Sequence, residues 1–201
     1  MNYLISHHTV QHSFLSMTAR KKTMKHKLIF VLDGHVSARV GKEEYVISSH
    51  DAFWLPLDCL TATTYFPNTH VLEVEISARS RSRYSYQAGY CAISPLTLAL
   101  LQQLALQPFN PENNQQSTWL KALNFELETL KPQINTGENT LEKACKQSPN
   151  AMSFQMVINV REALKARSSG AKREKVIADF FNGSESNANE LCLAIANTPL
   201  S

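Results

Sequence analysis

The chain has 201 residues, 43% of them hydrophobic and 18% charged, and its formal net charge of +3 permits a nucleic-acid partner without arguing for one. No apolar run approaches the ~20 residues that span a bilayer, and the N-terminus lacks the basic and apolar segments of a secretory signal. The four cysteines are scattered, which argues against a zinc ribbon and fits free thiols, so we expect a cytoplasmic protein with no membrane partner.

Short alternating segments over residues 26–76 indicate a β-rich first half. After each segment come turn residues such as Asp33-Gly34, and at least six strands at this regular spacing indicate a closed barrel or a sandwich. In residues 71–76 we expect the two glutamates to face outward. The apolar positions expected to face the interior are Leu28, Phe30, Val36, Ala38, Phe53, Leu72 and Val74.

Helical spacing begins at Ser94-Pro95, where serine caps a helix and proline takes its first position. Leucines then recur at helical spacing over residues 96–106, and a second amphipathic segment covers 119–130. Three further helices are predicted near residues 152–166, 171–181 and 188–196. The sequence therefore predicts an α+β protein, with a barrel at 1–90, a helical dimerisation linker at 91–133 and a second helical region at 134–201.

Two turn frames in the predicted barrel are similar to those of the cupin metal site. In a cupin enzyme, histidines and a glutamate before a glycine turn converge with a histidine after a proline turn on one metal ion. Both turns are present here, but Lys27 stands at the carboxylate position and Thr61 at the last histidine position. Lys21 and Lys22 stand near the histidine pair. Because cations in place of ligands repel a divalent metal, we predict a cupin-like (jelly-roll) barrel with no metal and no cofactor.

Catalytic motifs are missing as well. The sequence has no nucleophile elbow, no nucleotide-binding glycine loop and no carboxylate–histidine pair that we could place inside the barrel. We therefore predict no catalytic residue and a protein that is not an enzyme. A metal-independent isomerase is the weaker alternative.

Three segments carry a resemblance to a known family: residues 26–34 (HKLIFVLDG), 52–56 (AFWLP) and 92–96 (AISPL). They resemble the sensor half of AraC/XylS-type bacterial transcription regulators, in which a cupin barrel precedes a helical dimerisation linker and two helix-turn-helix motifs. The resemblance covers about residues 17–130. It implies a small-molecule effector, a homodimer formed through the linker helices, and DNA as the final partner of the full-length regulator.

Candidate binding residues follow from this interpretation. For effector binding we name His26, Phe30, Ala38, Trp54, Thr61 and Leu72. For dimerisation we name Leu100, Leu104, Leu123 and Leu127. Whether the lumen holds a small molecule or is filled by its own side chains stays open at this point.

The last third of the chain matches the family pattern only in part. Residues 175–181 and 189–201 resemble the opening of a helix-turn-helix motif. In an alternative register they form the second motif, and residues 152–154 close a degraded first one. In either register no full recognition helix follows Ser201. The chain is then either a fragment of a longer regulator or a regulator that has lost DNA reading. Two hypotheses stand: the ligand-sensing and dimerisation domain of an AraC-type regulator, and a stand-alone cupin-like binding protein that modulates an intact regulator by heterodimerisation. Under both, we expect that this chain alone does not bind DNA specifically.

Overall fold

The structure is a computed structural model that describes residues 4–134, 139–147 and 149–200. Within these residues strands come first and helices follow, so the fold is α+β, as the sequence predicts. The strands are β1 (Ile5–His12), β2 (Ser16–Met17), β3 (Lys21–Lys22), β4 (Lys25–Asp33), β5 (His35–Val40), β6 (Glu43–Ser48), β7 (Ala52–Leu55), β8 (Leu60–Tyr65), β9 (Thr69–Ser77) and β10 (Gly89–Tyr90). The helices are α1 (Pro95–Ala105), α2 (Asn114–Glu128), α3 (Leu141–Gln147), α4 (Ala151–Ser168), α5 (Arg173–Phe181) and α6 (Glu185–Ala196).

The strands form two antiparallel sheets that enclose a shared core, as in a barrel. The first sheet has the order β1-β9-β4-β7-β10, and the second has the order β2-β8-β5-β6 with β3 also paired to β8. Gly34 turns the chain between β4 and β5 at a φ of +81°, and a Cβ there would lie 2.7 Å from Thr69 Oγ1. Only glycine fits this turn, because both the backbone angle and the close approach of β9 exclude a side chain.

The register between β4 and β9 decides which side chains face the interior. Ile29 is paired with Glu73, and Leu28 is paired with Val74. Ile29 belongs to the core between the sheets, whereas Leu28 and Val74 belong to a core on the other face of the first sheet. The expectation that Glu73 faces outward is therefore wrong.

The expected interior set divides between these two cores. Val36, Ala38 and Phe53 lie between the sheets, as expected. Leu28, Phe30, Leu72 and Val74 lie instead on the outer face of the first sheet. The reason is that successive side chains of a strand alternate between faces, and here both faces of the first sheet are covered.

Helices α1 and α2 form a hairpin that covers the outer face of the first sheet. Ser94 caps α1 by accepting a hydrogen bond from the Thr97 amide at 3.0 Å, as the sequence predicts. The four leucines assigned to dimerisation are buried in the core between this hairpin and the sheet: Leu100, Leu104, Leu123 and Leu127. That assignment needs correction, because side chains covered by their own sheet have no surface left for a second subunit. The homodimer itself stays a prediction.

Helices α3 and α4 cover the outer face of the second sheet. Phe154 of α4 packs against Phe66 with ring centroids 5.4 Å apart. Arg161 of α4 forms a bidentate ion pair with Glu44 of β6, and its Nη1 donates to Thr64 Oγ1 of β8 at 3.0 Å. Because Arg161 is only 5% exposed, this ion pair is a buried bond between barrel and helices. The barrel therefore lies between two helical layers.

Helices α4, α5 and α6 pack on one another around a core that includes Val160, Val176 and Cys192. Asn182, with a left-handed φ of +51°, ends α5, and the Ser184 side chain caps α6 by accepting from the Asn187 amide. The connection between α5 and α6 is therefore three residues long, covering 182–184. The resemblance of this region to a helix-turn-helix motif stays a prediction.

Candidate functional site at the barrel mouth

The interior of the barrel is divided into an apolar part and a polar end. Side chains from both sheets fill the apolar part and are buried there: Ile29, Val31, Val36, Ala38, Tyr45, Ile47, Phe53, Leu55 and Val71. For this part of the lumen the question left open by the sequence is resolved, because its own side chains occupy it.

The polar end is organised by the carboxylate of Glu73, which is only 4% exposed. Lys27 Nζ donates to Glu73 Oε2 at 2.6 Å, and His8 Nε2 lies 3.0 Å from the same oxygen. The Tyr65 hydroxyl donates to the other oxygen, Oε1. His12 stacks on the Tyr65 ring with centroids 4.1 Å apart. Three strands of the first sheet and one of the second thus supply a single buried ion cluster.

The surroundings of Glu73 keep it charged. Burial alone would raise the pKa of its carboxyl, but the hydrogen bonds from His8, Lys27 and Tyr65 and the Lys27 charge lower it to about 2. Burial and the adjacent carboxylate raise the pKa of Tyr65 far above its ordinary value. A general base works best when its pKa lies near the working pH, so Glu73 acts as a fixed charge and is poorly suited to accept protons.

The His8–Glu73 contact corrects one statement drawn from the sequence. We could place no carboxylate–histidine pair inside the barrel, yet the structure contains this one. The sequence does not predict this contact, because β1 precedes the alternating segments at 26–76 and because alternation alone favours an outward-facing Glu73.

Glu75 continues the cluster toward the open end of the barrel, which we call the mouth. Its carboxylate lies 2.7 Å from Lys25 Nζ and 3.5 Å from Lys27 Nζ. Burial opposes the charge of Glu75, but these two lysines lower its pKa overall. Lys27 therefore bridges the buried carboxylate and the one at the mouth.

A hollow of about 280 Å³ opens at the mouth beside this cluster. Its lining consists of Thr18, Ala19, Lys21, Lys22, Thr23, Met24, Lys25, Lys27, Leu55, Thr61, Thr63 and Glu75. Thr61 is 7% exposed, and its hydroxyl has no hydrogen-bond partner among the described residues. The Thr63 hydroxyl, in contrast, forms a hydrogen bond with the Thr18 hydroxyl at 3.1 Å. A buried hydroxyl without a partner is unfavourable, so an acceptor that entered the hollow would relieve this cost.

The six residues named for effector binding do not form one site. Thr61 lines the mouth and Ala38 lies in the filled part of the lumen. Phe30, Trp54 and Leu72 lie on the opposite face, in the core beneath α1 and α2.

His26 lies on that opposite face as well. Its ring stacks against Trp54 with centroids 5.4 Å apart, and its Nδ1 accepts a hydrogen bond from the Leu57 amide at 3.1 Å. His26 therefore has a structural role in holding the chain after β7.

The positions at which the resemblance to a cupin metal site leads us to expect ligands lie together at the mouth. Lys21 is the register partner of Thr61, and Lys27 lines the same hollow. The described part of the chain contains no group of three or more histidine, cysteine, aspartate or glutamate side chains that could hold a metal ion. A charged ammonium group cannot ligate a cation and repels it, so the donor set here does not fit a metal. Metal content itself stays a prediction for elemental analysis.

A larger hollow, of about 1010 Å³, lies between α2 and the basic connector that contains Arg79, Arg81 and Arg83. All three arginines are exposed, as expected for a solvated loop. Within the described residues, the buried side-chain atoms that lack a hydrogen-bond partner belong to His7, His35 and Thr61. None of these residues lines the larger hollow, so the mouth is the better candidate site.

Comparison with known proteins gives distant likenesses only. No protein-family model matches the sequence, and no curated protein matches it. ToxT from Vibrio cholerae aligns over 98% of this chain and 96% of its own, at 8% identity and a TM-score of 0.41. A cupin superfamily protein from Desulfitobacterium hafniense aligns over 38% of this chain and 71% of its own, at 9% identity and a TM-score of 0.36.

An RmlC-like cupin from Shewanella frigidimarina aligns over 40% of this chain and 72% of its own, at 14% identity and a TM-score of 0.35. None of these likenesses is close enough to assign the chain to a family. Among the described residues, no helix has the length and apolar character needed to cross a membrane.

Proposed function

We propose that this chain is a non-catalytic sensing protein of the AraC regulator type, which binds a small molecule at the barrel mouth. The observation that carries the proposal is the Thr61 hydroxyl, which is buried at the mouth hollow, beside the filled apolar core, and has no hydrogen-bond partner among the described residues. A small concave site with a few convergent polar groups is the usual form of a ligand site.

The chemistry of the mouth favours binding over catalysis. Glu73 is held charged by three donors, and the pKa of about 2 makes it a weak proton acceptor. Lys27 is ion-paired with both Glu73 and Glu75. Neither the lysine nor its two carboxylate partners are therefore free to shuttle a proton. These features support a protein that is not an enzyme.

Strand β8 offers a direct path from the mouth to the C-terminal helices. Thr61 and Thr63 face the hollow on one side of the strand. Thr64, on the other side, accepts a hydrogen bond from Arg161 of α4. A ligand that repositions β8 therefore also acts on the buried Arg161–Glu44 ion pair, which contacts the opposite face of the same strand through Thr64.

Helix α6 supports the view that this chain alone does not read DNA. It follows α5 after a three-residue connection, as the second helix of a helix-turn-helix pair does, yet the twelve residues of Glu185–Ala196 contain no lysine or arginine. Glu190 is exposed on it, and Glu185 is held by Arg173 at 2.7 Å. Acidic side chains facing phosphates oppose binding.

This acidic helix also favours the second hypothesis, a binding protein that modulates an intact regulator. DNA protection assays at near-physiological salt with competitor DNA separate the two. Protection of a defined promoter site by this chain would show that it binds DNA specifically by itself. Loss of protection by an intact regulator when this chain is added would support heterodimerisation.

The ligand-binding proposal is tested by NMR of the labelled chain with small organic compounds of different charge. We expect binders to shift the amide signals of β3, β8 and the end of β9 at the mouth. Ala19→Trp places a ring at the exposed rim of the hollow and should abolish these shifts. Ala122→Trp, on the exposed side of α2, is the matched control and should leave them intact. If no compound of any charge shifts the mouth signals, the proposed function is wrong.

A further inference from the structure

We propose that the mouth hollow binds a small organic dianion, with Thr61 and Lys21 as its main contacts. This inference rests on the proposed function and names the ligand class of the same site.

The charge balance at the mouth is positive. Four lysines line the hollow: Lys21, Lys22, Lys25 and Lys27. Two carboxylates oppose them, Glu75 in the lining and Glu73 directly behind Lys27. Four positive charges against two negative ones leave an excess of two, which a dianion would balance. A neutral ligand would leave it in place, and a cation would increase it.

The uncompensated charge lies on β3. Lys25 and Lys27 are both ion-paired with glutamates. Neither Lys21 nor Lys22 forms an ion pair with any residue that the structure describes, and both side chains are exposed. Lys21 is paired in register with Thr61, and partners in an antiparallel pair project from the same face of the sheet. The free ammonium group and the free hydroxyl therefore flank the same opening.

Thr61 supplies a neutral donor to complement that charge. Within the described part of the chain its hydroxyl has no hydrogen-bond partner, whereas the Thr63 hydroxyl is bonded to that of Thr18. A hydroxyl next to an ammonium group favours an acceptor that carries negative charge, because hydrogen bonds to charged groups are the stronger ones.

The remaining lining indicates an organic ligand of modest size. Ala19, Met24 and Leu55 give the hollow apolar walls that a carbon skeleton can contact. The volume of about 280 Å³ lies just below the roughly 300–1,000 Å³ of ordinary small-molecule sites. A short-chain dicarboxylate fits both conditions better than an inorganic ion, which makes no use of apolar walls.

Isothermal titration calorimetry of the full chain tests this class with four probes. Succinate carries two charges, succinamide has nearly the same shape with none, 1,4-diaminobutane carries the opposite charge, and inorganic phosphate lacks the carbon skeleton. We expect succinate to bind at least about tenfold more tightly than succinamide, and 1,4-diaminobutane not to bind. Phosphate should bind more weakly than succinate.

Two variants locate the contacts. Thr61→Val removes the hydroxyl with little change in shape, and Lys21→Met removes the free ammonium group. Each should weaken succinate binding by about tenfold, the effect of one charge-assisted hydrogen bond. The control is Lys175→Met, because Lys175 lies on the exposed side of α5 and the substitution makes the same change in net charge as Lys21→Met. It should leave binding unchanged. Thr61→Val should melt at or above the wild-type temperature, which separates lost contact from lost fold.

The outcomes distinguish this inference from the proposed function. Binding of succinamide or 1,4-diaminobutane at the mouth as tightly as succinate overturns the dianion inference and leaves the proposed function standing. Equal weakening by Lys175→Met and Lys21→Met also overturns it, because the effect would then be long-range charge. Tighter binding of phosphate than of succinate would assign the mouth to inorganic or phosphorylated anions instead.

Discussion

The strand pair β4–β9 presents two faces that are stabilised in different ways. Toward α1 and α2, both strands offer apolar side chains that pack into one continuous core. Toward the lumen, the mouth end of the same strands offers Lys25, Lys27, Glu73 and Glu75, which are joined by ion pairs of 2.6–3.5 Å. One face depends on non-directional packing and the other on directed bonds.

The difference shows where a binding site can persist in a small barrel. An apolar face closes completely, because side chains fill the available space to high density. A cluster of fixed charges holds its geometry and leaves room at its edge. The hollow at the mouth therefore lies beside the ion cluster, at the boundary with Leu55 of the filled core.

The largest effect should come from placing a charge in the apolar face. Leu123→Glu buries a carboxylate between α2 and the first sheet, where Leu123 is fully buried. We expect destabilisation by more than about 4 kcal/mol, enough to unfold the chain in circular dichroism and urea titrations.

The neighbouring variant Phe125→Glu is the control for the apolar face. Phe125 is 68% exposed on the same helix, so this chain should fold with a stability within about 1 kcal/mol of the wild type. A homodimer that uses the outer side of α2 would become a monomer in sedimentation. If Leu123→Glu instead gives a folded monomer, the burial of α2 against the sheet is contradicted.

A smaller loss is expected from the polar face. Glu73→Gln keeps the shape but removes the buried charge that partly buried Lys27 is paired with, and should cost about 3–5 kcal/mol in urea denaturation. Glu75→Gln, at the more exposed mouth, should cost about 1 kcal/mol or less. Equal effects of the two variants would show that the buried cluster is no more important than a surface ion pair.

The same carboxylate, Glu73, makes the stability of the protein depend on pH. The pKa of Glu73 is lowered from 4.5 to about 2, so its contribution is complete above pH 4.5 and is lost as the pH falls toward 2. This contribution is about 3 kcal/mol. Urea denaturation between pH 7 and pH 2.5 should show the wild type and Glu73→Gln converging in stability at the acid end. If the stabilities of the two proteins instead change in parallel with pH, the lowered pKa of Glu73 is contradicted.

Much of the fold could be predicted from the sequence, but the direction of the strands' faces could not. Alternation over residues 71–76 correctly separates Leu72 and Val74 from Glu73 and Glu75. It does not say which set faces the barrel, because that depends on what covers each side. The leucine-rich helices α1 and α2 were the available signal, because their apolar faces must pack on a surface, and Leu72 and Val74 provide it.

The site was predicted in part, and for a definable reason. Lys27 and Thr61 were named from their places in the turn frames, and both line the mouth. His8 and Tyr65 were not, because their roles depend on contacts with Glu73 that only the folded barrel creates. The Arg161–Glu44 pair was equally inaccessible, since no local pattern links residues 117 positions apart.

That separation of 117 positions has a consequence for how the protein is made. At a synthesis rate of about 5–20 residues per second, Glu44 leaves the ribosome roughly 6–23 s before Arg161. During this interval the outer face of the second sheet, with Phe66 and Val46, has no helix to cover it. The nascent chain therefore passes through a stage in which a nearly finished barrel exposes an apolar surface to chaperones and to other nascent chains.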